Sequence, residues 1–278
     1  TRVWVPLESA GVYAPGGRAA YPSSVLMGVV PAKAVGVSTV IVCSPPGPDG
    51  APPEEVLAAC AIAGADRLFA VGGAGAVAAM AYGTESVRSV DAIVGPGNRW
   101  VTEAKRQIAG EVLIDSPAGP SEVLVVADAG ADPELIAAEM LAQAEHDPDA
   151  ASVLVTDSQQ LADDTLTALN DALADAPRGD IIRSSLSSAG AVLVTESLDA
   201  AFDFAQQYAP EHLSVMTRIA SSEARRVTTA GTTFVGDAAS VAFGDYLTGA
   251  NHVLPTAGRA RAFSGLSAQH FLRSYTIQ

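Results

Sequence analysis

The sequence predicts an α/β fold: two units with mainly parallel sheets and a cleft between them. Short β-branched runs alternate with Ala-rich amphipathic stretches along most of the 278 residues, as strands joined by crossover helices do. The stretch Asp115-Ser116-Pro117-Ala118-Gly119-Pro120-Ser121, rich in proline and small residues, breaks that alternation. It divides the chain into 1–120 and 121–278, both of ordinary domain size.

In the first unit, Ser38-Thr39-Val40-Ile41-Val42 is β-branched and apolar and reads as a strand. Residues 53–63 follow as a helix, with Glu54 and Glu55 in the first turn, where the helix dipole favours negative charge. The strand–helix pair recurs at 67–71 and 74–82, and again at 91–94 and 98–108. The second unit opens with the strand Glu122-Val123-Leu124-Val125-Val126-Ala127. Asp132 stands as N-cap and Pro133 in the first turn of a helix running to about residue 146. Strands at 151–155, 190–194, 213–216 and 232–235 then alternate with helices at 158–174, 197–207 and 219–229.

Glycine-rich turns follow strands in the first unit. Gly73-Ala74-Gly75-Ala76-Val77-Ala78 has Gly-x-Gly-x-x-Ala spacing between a strand and a helix. That context fits a Rossmann-like dinucleotide fingerprint, although any tight α/β turn needs glycine. Gly95-Pro96-Gly97-Asn98 and Tyr13-Ala14-Pro15-Gly16-Gly17 are further loops of this kind.

Composition narrows the function. A formal charge of −15 argues against a nucleic-acid partner, whose phosphates are held by Lys and Arg. The hydrophobic content is 49 %, yet no run reaches the roughly 20 apolar residues that cross a bilayer. Thr1-Arg2-Val3-Trp4 resembles neither a signal nor a transit peptide, and the missing initial Met suggests a piece of a longer chain. Cys43 and Cys60 show no metal-type spacing, and Cys43 reads as a small core residue. The expectation is a cytoplasmic protein that acts on small molecules.

Three of the four histidines lie beside carboxylates or amides. Gln143 and His146, three apart at a helix end, leave one face, with Glu139 a turn earlier. This is either a metal half-site or a polar helix end complementing the dipole. Glu211-His212 follows Tyr208-Ala209-Pro210, where proline stops the preceding helix. A carboxylate beside an imidazole offers two bases of different pKa, suited to two proton transfers; the alternative is a surface pair. Asp245, in a loop of Gly, Thr and Asn, could add a hard oxygen ligand. His252 reads as orienting that loop over a ligand, and His270 as an interface or partly buried residue without chemistry.

Taken together, these segments resemble the histidinol dehydrogenase family through essentially the whole chain. The resemblance runs through Gly11-Val12-Tyr13-Ala14-Pro15-Gly16-Gly17, Gly95-Pro96-Gly97-Asn98, Val101-Thr102-Glu103-Ala104-Lys105-Arg106 and Pro117-Ala118-Gly119-Pro120-Ser121-Glu122-Val123-Leu124. It continues in Gln143-Ala144-Glu145-His146, 208–213 and 244–256. It implies zinc ligands at Gln143, His146 and Asp245, a catalytic pair at Glu211 and His212, and a substrate-contacting serine at Ser121. Gln143, His146, His212 and Asp245 would also touch substrate, and Tyr13 and Asn98 would contact NAD.

The implied reaction is a four-electron oxidation of L-histidinol through histidinal to L-histidine, consuming two NAD. His212 would take the alcohol proton and Glu211 would activate the water that hydrates the aldehyde. The sequence departs from the family at Gly75, where a glutamine that contacts NAD is usual. The family's remaining zinc-ligand histidine and a substrate-binding glutamate fall beyond Gln278; in the family they come from the partner subunit of a homodimer. Alternatives are a related oxidation of another amino or sulfonated alcohol, a zinc hydrolase, and a fragment inactive by itself.

Overall fold

The computed structural model describes residues 1–16, 20–246 and 248–278; Gly17 and Leu247, which fall in two of the motifs above, lie outside them. The chain forms an α/β structure with two compact units: 1–119 with 251–253 and 265–278, and 120–250 with 254–264.

The first unit contains β1 (Arg2–Pro6), β2 (Ser9–Tyr13), α1 (Pro22–Ala34), β3 (Thr39–Ser44), α2 (Glu54–Ala63), β4 (Arg67–Ala70) and α3 (Gly73–Tyr82). After these come β5 (Ala92–Val94), α4 (Arg99–Ile108) and β6 (Leu113–Ile114). Its sheet has the order β4-β3-β2-β5-β6, and every pairing is parallel. The order reverses between β2 and β5, the topological switch point of a doubly wound fold.

The second unit contains β7 (Glu122–Ala127), α5 (Pro133–Ala144), β8 (Ala151–Thr156), α6 (Gln159–Ala174), α7 (Gly179–Ala189), β9 (Gly190–Val194) and α8 (Leu198–Tyr208). It ends with β10 (His212–Met216), α9 (Ala220–Glu223), β11 (Thr232–Val235) and a 3-10 turn, Val241–Asp245. Its parallel sheet, β11-β10-β7-β8-β9, has the same order relative to its own first strand, with the switch between β7 and β10.

Helices cover both faces of each sheet, so the central strands are buried almost throughout. Leu124 and Val126 of β7 pack into one core cluster, and Val123, Val125 and Ala127 into another. Ala10 and Val12 of β2 face one cluster while Tyr13 faces a second. Asp132 caps α5 through Glu134 N (2.8 Å), as its position predicts. Cys43 is buried, and desolvation pushes its thiol up to about 12. Among the described residues no helix is long and apolar enough to cross a membrane.

Several elements differ from the sequence reading. The Gly-x-Gly-x-x-Ala turn follows β4, the edge strand, whereas a dinucleotide fingerprint follows the first strand at the switch point. Tyr13 ends β2 instead of opening a loop. The helix expected at 219–229 shrinks to α9 and a short 3-10 turn, Ala224–Arg226. Thr228 N and Thr229 Oγ bond to Gln206 of α8 instead of continuing it.

Helix α1 is not legible in the sequence, because Gly28 and Pro31 argue against a helix. A Cβ on Gly28 would meet Val12 Cγ1 at 2.6 Å, so glycine lets α1 lie against β2. Pro31 has no N–H for the Met27 carbonyl, and the Asn251 side chain donates to that oxygen instead (2.9 Å). The last residues, assigned by sequence to the second unit, belong to the first: β12 (Leu272–Thr276) pairs antiparallel with β1, and Phe271 is fully buried in its core.

Candidate active site

In the second unit, parallel register sets His212 opposite Val123, which brings Ser121-Glu122 beside Glu211-His212 at the amino ends of β7 and β10. Helix α8 stops at Tyr208, and Ala209 turns the chain at φ 55° before Pro210 and Glu211. Glu122, Glu211 and His212 are all buried. Ser121 Oγ donates to Glu211 Oε2 (2.6 Å), and Glu122 N–H donates to the same oxygen (2.8 Å). Two donors on Oε2 hold this carboxylate in one orientation.

His212 Nδ1 lies 3.0 Å from the Glu122 carbonyl and 3.5 Å from Glu211 Oε2. A carbonyl only accepts, so Nδ1 carries the proton and Nε2 is left as the basic nitrogen. The bond to the carbonyl holds the ring in one tautomer. Phe234 stands at the ring, with centroids 6.2 Å apart.

Nothing in the sequence reading singles out Glu122. Its carboxylate accepts from Glu211 N–H (3.2 Å), Ala257 N–H (2.9 Å) and Tyr208 OH (3.2 Å). Burial, and then the Glu211 charge, raise its carboxyl above the ordinary value. Tyr208 is raised too, by burial first and by Glu122 next. The signal available in the sequence is a glutamate opening an otherwise apolar strand.

Gln143 is buried in the last turn of α5, with Nε2 unpaired, and His146 is exposed just beyond the helix end. An unpaired buried amide costs about 1–3 kcal/mol, so it asks for a partner. Rotation of the amide would present its oxygen at the same place. Glu139 Oε2, one turn earlier, accepts Val241 N–H (3.2 Å), which docks the 3-10 turn bearing Asp245 onto α5. No group of three or more His, Cys, Asp or Glu suited to a metal occurs among the described residues. Of the three residues that the resemblance implies as zinc ligands, Gln143 is an amide and falls outside those residue types. The donor set of amide, imidazole and carboxylate fits zinc by chemistry, and the orphaned amide fits a missing ligand.

In the first unit, Tyr13 and the Gly95–Asn98 loop lie at the carboxyl ends of β2 and β5, at the switch point. Asn98 Oδ1 caps α4 through Trp100 N (3.0 Å) and Val101 N (3.2 Å), and Tyr13 OH accepts Gly73 N–H (3.0 Å). Gly95 has φ +116°, and a Cβ there would sit 2.1 Å from the Tyr13 carbonyl oxygen. Both sides of Gly95 are held: Asp115 Oδ2 accepts its N–H (2.8 Å), and Lys105 Nζ donates to its carbonyl (3.0 Å). Lys105 and Asp115 are themselves a buried ion pair. Sequence reading does not identify this pair.

His252, also in the first unit, bonds Ser24 of α1 (3.3 Å). His270 Nδ1 accepts from Ser267 N (3.1 Å), closing a 3-10 cap.

The sequence model of histidinol dehydrogenase matches residues 1–278. The chain belongs to the histidinol dehydrogenase family. Histidinol dehydrogenase of Methanothermobacter thermautotrophicus is 53 % identical over 273 residues, covering 98 % of this chain and 64 % of the relative. That of Haloarcula marismortui is 53 % identical over 274 residues, with 98 % and 64 % covered. The crystal structure of histidinol dehydrogenase from Elizabethkingia anophelis matches with TM-score 0.94 and 38 % identity, over 99 % of this chain and 63 % of that one. The chain thus spans just under two thirds of the length of these relatives.

Of the residues that the family resemblance nominates, the structure joins Ser121, Glu211 and His212 directly. It places Gln143 on the helix against which the Asp245 turn docks. Lys105→Met is expected to destabilise the protein by about 3–5 kcal/mol, because Asp115 is left charged and buried. A double variant, Lys105→Met with Asp115→Leu, should recover much of that loss. Urea unfolding of both variants checks the pair; a single variant of wild-type stability would contradict it.

Proposed function

We propose that the full-length protein oxidises L-histidinol to L-histidine by way of histidinal, as a zinc-dependent, NAD-linked dehydrogenase of histidine biosynthesis. The observation that carries the reading is the buried Glu211–His212 pair, with Nδ1 committed to the Glu122 carbonyl and Nε2 left as base. Membership of the histidinol dehydrogenase family supports the substrate. NAD supplies a hydride acceptor, and zinc supplies a Lewis acid that orients the substrate's nitrogen and oxygen atoms.

The chain's own groups divide the remaining work. His212 Nε2 takes the proton of the substrate hydroxyl in the first oxidation. Glu211 takes a proton from the water that adds to the aldehyde, forming the hydrate that the second oxidation consumes. Ser121, whose hydroxyl hydrogen is engaged by Glu211, keeps oxygen lone pairs to accept a bond from substrate. Gln143, His146 and Asp245 would hold zinc. Tyr13 and Asn98 would contact NAD at the switch point of the first unit, where open α/β sheets bind ligands. A homodimer completes the metal site in this reading, and the setting is cytoplasmic.

Full-length protein with zinc should reduce two NAD per L-histidinol; absence of histidinol-dependent NADH formation would sink the assignment. Removing zinc with a chelator should abolish turnover, and Gln143→Ala should weaken zinc affinity measured by chelator competition about 10–100-fold.

Glu211→Gln should slow oxidation of supplied histidinal about 100-fold or more, while alcohol oxidation to the aldehyde level falls less. Single-turnover measurements of the two steps separate them, and equal losses would contradict the division of labour.

Gly75 lies in α3 with no positive φ and with open space where a Cβ would stand, so Gly75→Gln is accommodated. It should raise helix stability by about 0.5–1 kcal/mol and lower the KM for NAD. Thermal melting and initial rates at varied NAD test both effects; a raised KM would remove the contact inferred at this position.

A further inference from the structure

We infer that Glu122 is a positioning residue for the Glu211–His212 pair, fastening both members through its main chain and its carboxylate together. The inference deepens the proposed function in its kinetic arm, while its spectroscopic arm does not depend on the substrate.

Three groups of one residue meet the pair. The Glu122 N–H bonds Glu211 Oε2, its carbonyl accepts His212 Nδ1–H, and its carboxylate accepts the Glu211 N–H. The two main-chain bonds need no particular side chain at 122, but they form only while the turn that delivers Glu211 and His212 stays in place. The side chain adds something they cannot supply, because it reaches past the strand to the turn that delivers Glu211. The same carboxylate grips Tyr208 at the end of α8 and Ala257 on the segment that follows residue 253.

Those segments are where the backbone is strained. Among the described residues, Ala209 and Ala257 are the non-glycine residues with positive φ, both at 55°. A left-handed alanine persists only where its surroundings over-determine it. Glu122 bonds Ala257 itself and both residues that bracket Ala209-Pro210, namely Tyr208 and Glu211. Gly231 lies tightly against the same turn: a Cβ there would stand 2.7 Å from the Glu211 carbonyl oxygen. The turn has little freedom on that side, and Glu122 removes it on the other.

A glutamate is a costly choice to open a strand whose six residues are all buried. A leucine would fill the core more cheaply but could accept none of the three bonds. Its carboxylate acts as a short acceptor of fixed reach. Its charge is not what the geometry uses, since two backbone amides and a phenol are neutral donors. Glutamine keeps the Oε1 acceptor at the same reach, and aspartate keeps the charge but withdraws the oxygens.

The test uses full-length protein carrying Glu122→Gln, Glu122→Asp or Tyr208→Phe. It reads kcat, the KM for L-histidinol and for NAD, and the ring-nitrogen spectrum of 15N-labelled His212. Glu122→Gln should keep kcat within about threefold, with the Nδ1–H signature intact, whereas Glu122→Asp should lower kcat about tenfold or more at nearly unchanged KM values. In the aspartate variant the single Nδ1–H signature should give way to a mixture of tautomers.

Wild-type kcat and spectrum in Glu122→Asp would overturn the inference. Equal impairment of the glutamine and aspartate variants would also overturn it, because an acceptor of unchanged reach would then serve no better than a withdrawn one. Should Glu122→Asp fail to fold, Tyr208→Phe decides. A fall in kcat of about threefold or more at unchanged KM supports the role, and an unchanged kcat refutes it. If the wild type shows no histidinol-dependent NAD reduction, the proposed function fails, and the tautomer spectra still decide the role of Glu122.

Discussion

The parallel pairing of β10 with β7 is the constraint on which the candidate site rests. These strands are central, fully buried and in a register that sets His212 against Val123. Side chains alternate between the two faces of a strand, so a slip of one residue would send His212 to the opposite face and break its bond to the Glu122 carbonyl. The apolar content of Glu122–Ala127 and His212–Met216 thus does more than hold the sheet together. Burial of Val123, Leu124, Val125, Leu213 and Val215 in the two flanking clusters opposes the slip and so keeps the imidazole at the Glu122 carbonyl. Core packing sets the register, register sets the hydrogen bond, and the hydrogen bond sets which nitrogen is basic.

The carboxyl ends of the same two strands are closed by a different device. Asp128, just after β7, accepts the N–H of Arg218 just after β10 (3.0 Å) and that of Gly130 (2.8 Å). That end of the switch point is stitched by main-chain N–H groups donating to the Asp128 carboxylate, while the amino end gathers Ser121, Glu122, Glu211 and His212. In the first unit the situation is reversed. There the carboxyl ends of β2 and β5 present Tyr13 and the Gly95 loop, held rigid by Lys105 and Asp115. A buried ion pair is seldom a net source of stability compared with an apolar pair. Its grip on both the N–H and the carbonyl of Gly95 gives it a geometric task instead.

What the sequence reveals follows the locality of each signal. The strands of β7, β9 and β11 and the cap at Asp132 depend on neighbours along the chain, and they match the reading. Helix α1 escapes it because its two breakers are explained only by residues far away: Gly28 by Val12, and Pro31 by Asn251. The C-terminal strand escapes it because nothing near it announces a partner 270 positions earlier, at β1. The chemical candidates are legible as adjacent polar residues, Glu211-His212 and Gln143 with His146. Glu122 and Lys105 are not, since a single buried charge in an apolar run has no local pattern. They are recognised only when their partners, 89 and 10 residues away, are in place.

The opposite use of strand ends in the two units has an electrostatic reason. In a parallel α/β unit the helices run back against the strands, so helix N-termini face the carboxyl ends and helix C-termini face the amino ends. Helix N-termini carry partial positive charge and suit phosphate groups; C-termini carry partial negative charge and suit cations. The carboxyl end of the first sheet, with α4 opening at Asn98, is therefore the natural place for a dinucleotide. The amino end of the second sheet receives the last turn of α5, with Gln143 buried and unpaired and His146 just beyond. The chain beyond β11 meets Glu139 of α5 at residue 241 and Glu122 at residue 257. A cation at the end of α5 would meet the negative end of a helix, with the Glu211–His212 pair in the same unit. One topology thus offers partial positive charge at one end and partial negative charge at the other, according to which helix ends the side chains accompany.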